Sequence, residues 1–250
     1  MTEMKDQPYK AVLLDIEGTT TSISFVYEVL FPYARSEAEN YLRSQWGTED
    51  LEGCLQLFRS LIEEDQKAGI EGVIGIASEK EGKEEIIQSW VQNIHWQMDS
   101  DRKTTALKAL QGRIWNAGYA DGTLKGQVYD DVPRALLAWQ KAEIPVYIYS
   151  SGSIAAQKLL FGGSTQGDLC PLLSGYFDTT TGPKREAASY AAIAKAIEVQ
   201  AEDLVFVTDV YEEAKAAAEA RVMPILSLRP GNKELPEHDF RVIESLESLL

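Results

Sequence analysis

Two carboxylates one residue apart, Asp15 and Glu17, follow the apolar run Ala11-Val12-Leu13-Leu14 and lead at once into Gly18 and three threonines. An unbroken apolar run of this length reads as a buried strand, and open parallel sheets gather their ligands at the carboxyl ends of strands. A carboxylate there can attack an electrophile or hold a hard cation, and a second one in a different environment can move protons. A lone Asp-x-Glu also fits a strand that simply runs out into a polar turn. Three later stretches repeat the arrangement. Tyr149-Ser150-Ser151-Gly152-Ser153 ends an apolar, aromatic run and opens a helix, where hydroxyls and backbone N–H groups can hold a phosphate. A serine-capped helix is the plainer reading. Gly182-Pro183-Lys184-Arg185 sets a cation against the positive end of a helix, which calls for an anionic partner unless the lysine is solvated. Val205-Phe206-Val207-Thr208-Asp209 ends in an acid, with Glu212 and Glu213 one helical turn on. Asp209 could join Asp15 as an oxygen ligand for Mg²⁺, or cap the helix.

The elements that must position these residues alternate. Strands are expected at 11–14, 144–149, 172–178, 204–207 and 223–228, and helices at 131–140, 154–161, 185–199, 211–220 and 242–250. Such alternation makes an α/β fold, a doubly wound Rossmann-like parallel sheet with right-handed crossovers. Between the first strand and residue 125 the pattern is helical throughout. A helix beginning near Ser24 is expected to bend or restart at Pro32 and to resume to Trp46. Amphipathic helices follow at 50–67, 83–98 and 101–118, the last capped by Asp99 or Ser100. The reading is therefore an α/β catalytic core of residues 1–21 and 126–250, interrupted after its first strand by an inserted all-helical cap of residues 22–125.

The chain has 250 residues and a formal net charge of -15, enough length for a sizeable core and the wrong sign for a nucleic-acid or anionic-membrane partner. Its two cysteines, Cys54 and Cys170, are far apart with no Cys or His at ligand spacing, so neither a disulfide framework nor a zinc site is indicated. No membrane span or apolar leader is visible, and the expectation is a cytoplasmic protein, with the nucleus also open in a eukaryote. A monomer is expected because no long exposed apolar stripe is left over.

Acid pair, serine, lysine and acid, in that order and each at the end of an expected strand, resemble the haloacid-dehalogenase superfamily. Its four motifs match Asp15-Ile16-Glu17-Gly18-Thr19, Ser150 or Ser151, Lys184, and Asp209 with Glu213. Most members carry a second aspartate where this chain has Glu17. That departure, with Leu30-Phe31-Pro32-Tyr33, Trp96-Gln97-Met98, Leu110-Gln111-Gly112, Tyr147-Ile148-Tyr149-Ser150-Ser151-Gly152-Ser153 and Arg229-Pro230-Gly231-Asn232, resembles the enolase-phosphatase family of methionine salvage.

The resemblance implies an Asp15 nucleophile forming an aspartyl-phosphate, and one Mg²⁺ held by Asp15, Asp209 and a group at Glu17, in related phosphatases often a main-chain carbonyl. It also implies that Glu17 serves as general acid and base, Ser150 and Ser151 grip the phosphoryl group, Lys184 balances charge, and Glu213 is a second acid supporting the metal site. The implied substrate is 5-methylthio-2,3-dioxopentyl 1-phosphate, enolised and then dephosphorylated to an acireductone. A phosphatase for another phosphometabolite would share these motifs and differ in the cap. A dehalogenase would attack carbon and have no use for Mg²⁺, which Glu17 and Asp209 argue against. In the cap, Arg102 and Lys103 either face substrate or are solvated. His95, His238, Trp90, Trp96 and Trp115 are read as structural, with a methylthio-binding role for one tryptophan as the minority reading.

Overall fold

All four residues of β1 (Ala11–Leu14) are fully buried, because a strand covered on both faces needs an unbroken apolar run rather than an alternating one. The computed structural model describes residues 8–78 and 80–250. The chain divides into two compact units, Met1–Tyr27 with Gly122–Leu250, and Glu28–Asp121. In the first unit β1 is joined by β2 (Val146–Tyr149), β3 (Gly175–Phe177), β4 (Leu204–Thr208), β5 (Met223–Ser227) and β6 (Arg241–Ile243). They form one sheet in the order β3-β2-β1-β4-β5-β6, every pairing parallel. This is the doubly wound α/β architecture that the alternation of strands and helices predicts.

The second unit is all helical among its described residues. A π-helical stretch, Phe25–Leu30, runs without a break into α1 (Phe31–Gln45). Pro32 lies in the first turn of α1, directly after the wider π turn, so the residue that cannot donate to the ladder falls where the helical hydrogen-bond pattern changes. α2 (Glu49–Lys67) is capped by Thr48, whose hydroxyl accepts from Leu51 N at 3.3 Å. α3 (Lys83–Asp99) and α4 (Thr105–Asp121) complete the unit. The expected helix start near Asp101 is corrected: Ser100 terminates α3, Asp101 takes φ +48°, and α4 begins only after Thr104 caps it by accepting from Leu107 N at 3.2 Å. Leu42, Phe58, Trp90, Ile94 and Leu110 share one core, where Trp90 meets Phe58 edge-on at 6.1 Å. Arg102 is committed to Asp65, Nη2 to Oδ1 2.7 Å, and lies over the Trp96 ring at 4.9 Å. Among the described residues no helix is long and apolar enough to cross a membrane.

The sheet of the first unit is flanked by α5 (Asp131–Lys141), α6 (Ile154–Gly162), α7 (Ala187–Ala196) and α8 (Tyr211–Glu219). Leu13, Tyr149 and Phe206 pack with Tyr190, Ile193 and Ala217 in one buried cluster. The stretch expected as a closing helix, 242–250, instead supplies β6 and a 3₁₀ turn at Leu246–Leu249. Val242 and Ile243 are β-branched and complete the open edge of β5, and Leu228 N donates to Ile243 O at 2.8 Å. Asp131 fixes the turn that follows: its Oδ2 accepts from Leu246 N at 2.6 Å, Ser245 Oγ at 3.0 Å and Arg229 Nη2 at 2.8 Å. The expected strand at 172–178 likewise shortens to β3, preceded by a 3₁₀ turn at Cys170–Leu172.

The Arg229–Asp131 pair is almost wholly buried, with side-chain exposures of 5% and 7%. Asp131→Ala leaves a guanidinium in the interior without its counter-charge, and should lower the free energy of urea unfolding by about 3–5 kcal/mol.

Candidate active site

The direction of winding reverses at β1, with β2 paired to one side and β4 to the other, so its carboxyl end is the topological switch point of the sheet. Register sets Leu14 beside Ile148 and Val207. Asp15, the next residue, anchors its N–H to Val207 O at 2.9 Å and is only 4% exposed. Lys184 Nζ lies 2.7 Å from Asp15 Oδ1 and 2.7 Å from Glu213 Oε2, and Thr208 Oγ1 lies 2.9 Å from Asp15 Oδ2 and 3.0 Å from Glu213 Oε2. Asp15, Lys184, Glu213 and Thr208 thus form one closed ring of charge-assisted contacts.

The loop after Asp15 is folded tightly on itself. The amides of Thr19, Thr20 and Thr21 all point to Ile16 O at 3.2, 3.0 and 2.9 Å, and Thr20 Oγ1 donates to Asp15 O at 3.0 Å. Gly18 makes the turn at φ +65°, and a Cβ there would collide with the Asp209 carboxylate and fall 2.8 Å from Asn232 Oδ1. Glu17 therefore sits on the outside of the loop, exposed, two residues past the buried Asp15. A second turn braces the first. Asn232 N donates to Arg229 O at 3.1 Å across Pro230 and Gly231, the latter at φ +86°, as a Pro-Gly type II turn requires. Its two ends grip consecutive carbonyls: Arg229 Nε donates to Thr19 O at 3.2 Å and Asn232 Nδ2 to Gly18 O at 2.9 Å.

Lys184 is carried by a loop, since α7 starts only at Ala187. Three hydroxyls hold three successive carbonyls of that loop: Tyr149 Oη to Gly182 O at 2.8 Å, Ser189 Oγ to Pro183 O at 2.7 Å, and Tyr190 Oη to Lys184 O at 2.6 Å. At the end of β2, Ser153 is the residue that caps α6, accepting from Ala156 N at 3.3 Å. Ser150 is buried, its Oγ accepting from Gly152 N at 3.2 Å, and Ser151 is exposed. Gln157 steadies this turn by donating to Gly152 O at 2.8 Å and Phe177 O at 2.9 Å.

One cation faces three acids here. Burial alone would lower the Lys184 pKa, but the Asp15 and Glu213 carboxylates outweigh it and keep the ammonium charged. Burial and the Asp15 charge push Glu213 up, with Lys184 and Thr208 opposing. Asp209 is pushed up to about 7 by burial and by the Asp15 charge, with Lys184 opposing. Asp209 does not cap α8, which starts after Val210 without a side-chain cap; Val210 N donates to Thr208 Oγ1 at 3.2 Å. An uncompensated anionic end of this kind suits a divalent cation. Among the described residues no three His, Cys, Asp or Glu side chains gather into a ligand cluster; a pair of carboxylates with main-chain oxygen and water could hold a cation here. That is the habit of Mg²⁺, which keeps several waters and takes one or two carboxylates.

Sequence reading did not find Thr208, Arg229 or Asn232 as site residues. Thr208 carries a usable signal, a hydroxyl between an apolar strand and its terminal acid. The Pro-Gly turn between Arg229 and Asn232 predicts a turn but not what its ends hold.

A parallel sheet with an acid at the switch point, a buried lysine on it and a second acid on the neighbouring strand is the arrangement of a phosphoryl-transfer hydrolase. Residues 9–221 match the family model described as haloacid dehalogenase-like hydrolase. An enolase-phosphatase E1 of Anopheles gambiae is 51% identical over 96% of this chain and 82% of its own length. A Sorghum bicolor protein named as a probable bifunctional methylthioribulose-1-phosphate dehydratase/enolase-phosphatase E1 is 48% identical over 96% of this chain, which spans 47% of that relative. The crystal structure of UTR4 from Saccharomyces cerevisiae superposes with a TM-score of 0.74 at 32% identity, over 95% of this chain and 98% of that one. The chain belongs to the haloacid dehalogenase-like hydrolases and, within them, to the enolase-phosphatase E1 family.

Thr208→Val keeps the shape of the strand end and removes the hydroxyl that Asp15 and Glu213 share. A hydrogen bond to a charged group is worth about 1.5–3 kcal/mol, so kcat for phosphate release should fall about ten- to a hundred-fold while circular dichroism stays unchanged.

Proposed function

We propose that the chain is a Mg²⁺-dependent enolase-phosphatase of methionine salvage that converts 5-methylthio-2,3-dioxopentyl 1-phosphate to an acireductone and phosphate. The observation that carries this reading is Asp15, held at the sheet's switch point by Lys184 at 2.7 Å and Thr208 at 2.9 Å, with Glu17 exposed two residues on. Fixed in this way, the Asp15 carboxylate is pre-oriented for in-line attack on phosphorus, giving an aspartyl-phosphate and splitting transfer into two steps. Glu17 protonates the leaving oxygen and then takes a proton from the attacking water, a role that needs a carboxyl outside the buried ring. Ser150 and Ser151, at the end of the adjacent strand, donate to the phosphoryl oxygens. Lys184 offsets the charge that gathers as an anionic nucleophile meets an anionic phosphate.

Asp15, Asp209 and a main-chain oxygen of the Asp15–Glu17 loop would hold the metal, with Glu213 supporting them through Lys184. Bound there, Mg²⁺ supplies positive charge for phosphoryl and enolate oxygens. Enolisation also needs a base beside the carbonyl, and Glu17 takes that part too, as the only exposed carboxylate on the nucleophile loop. Residues 22–125 are the inserted cap in this reading.

Two variants test this assignment on the diketo phosphate, with phosphate release and the ultraviolet absorbance of the enediol followed separately. Asp15→Asn should abolish phosphate release and leave the fold intact; retained release contradicts nucleophilic attack. Glu17→Gln should stop both steps, and normal enolisation with blocked phosphate release would remove Glu17 as the enolisation base. Chelation with EDTA should suppress phosphate release until Mg²⁺ is restored; rapid turnover of sugar phosphates alone would point to a general phosphatase.

A further inference from the structure

Asn232 stands outside the four motifs, yet its side-chain amide lies at the metal end of the site. Nδ2 donates to Gly18 O at 2.9 Å and to Ser227 O at 3.1 Å. Two carbonyl oxygens can be served only by the nitrogen, so these contacts fix which way the amide faces. Oδ1 is thereby turned away from both, and it is buried without a hydrogen-bond partner. It does not face apolar surface. A Cβ on Gly18 would fall 2.8 Å from Asn232 Oδ1 and would strike Asp209 Oδ2, so the two oxygens flank one small space. With Asp209 ionised both are acceptors, and neither can satisfy the other. A buried acceptor left unmade is costly, and the position is held rigidly, since the Pro-Gly turn fixes the backbone of Asn232 and Arg229 anchors the other end of that turn to Thr19 O at 3.2 Å.

We infer that Asn232 Oδ1 accepts a hydrogen bond from the hydration shell of the cation held by Asp209, making Asn232 a positioning residue for the metal. The inference rests on the Mg²⁺ site proposed above. Mg²⁺ gives up its waters reluctantly, and each retained water presents protons that need acceptors; Oδ1 is a buried acceptor already held in place. The same side chain then has two separable duties, one through Nδ2 to the nucleophile loop and one through Oδ1 to the metal's water.

Calorimetric titration with MgCl₂ of the wild-type chain, Asn232→Ala and Asn232→Asp separates those duties. Loss of an outer-shell partner typically weakens metal binding by about ten- to a hundred-fold, and Asn232→Ala should do so. Asn232→Asp keeps an oxygen acceptor and loses the donor to Gly18 O and Ser227 O, so its Mg²⁺ affinity should stay at or above the wild-type value. Equal weakening in both variants would reduce Asn232 to a loop tether and overturn the inference, as would an unchanged affinity in Asn232→Ala. If the alanine chain does not fold, Asn232→Ser, too short to reach the space beside Asp209, is held to the same outcome. Absence of Mg²⁺ binding by the wild-type chain would instead sink the metal site itself, and this inference with it.

Discussion

The ammonium of Lys184 between Asp15 and Glu213 is the interaction on which the site depends. An isolated charge this deeply buried would be prohibitively unstable, and so would two carboxylates so close together without a cation. Each is tolerable only because the other is fixed within hydrogen-bonding distance. The surroundings are arranged accordingly. Three hydroxyls, from Tyr149, Ser189 and Tyr190, hold the carbonyls of residues 182 to 184, so the lysine backbone cannot drift. Thr208 Oγ1 lies between the Asp15 oxygen turned away from the lysine and the Glu213 oxygen that the lysine also contacts. The result is a carboxylate whose orientation is fixed before any substrate arrives, as the proposed nucleophile requires.

Asymmetry between the two acids of the first motif follows from the same constraint. Asp15 is enclosed and spoken for on both oxygens, whereas Glu17 is carried outward by a loop that hydrogen-bonds three amides to one carbonyl. A residue meant to attack gains from being immobilised; one meant to give and take protons must reach solvent and the leaving oxygen. Gly18 makes this separation possible, because its left-handed turn reverses the chain at once and its lack of a side chain leaves room for the Asp209 carboxylate.

Much of this arrangement is legible in the sequence because burial on both faces makes parallel strands into solid apolar runs, and the acids, serines and lysine come directly after those runs. The misfit of a lysine ahead of a helix N-terminus already demands an anionic partner, and the structure supplies two. Other features have no local signature. The last nine residues carry Val242, Ile243, Leu246 and Leu249 at spacings that suit a helix face, but an open edge on β5 and the carboxylate of Asp131 draw them into a strand and a short turn. Asn232 and Arg229 sit in a loop whose sequence states that it turns and not what it holds.

The turn from Arg229 to Asn232 also sets an order of assembly. The carbonyls of Gly18 and Thr19 receive their side-chain partners from residues more than two hundred positions away, and β1 itself is completed on either side by strands formed much later in the chain. A folding chain closes its largest loops last and most slowly. The loop after Asp15 therefore acquires its final contacts only when the far end of the sheet is in place. A partly folded chain has an Asp15 but not yet an organised place for it to react.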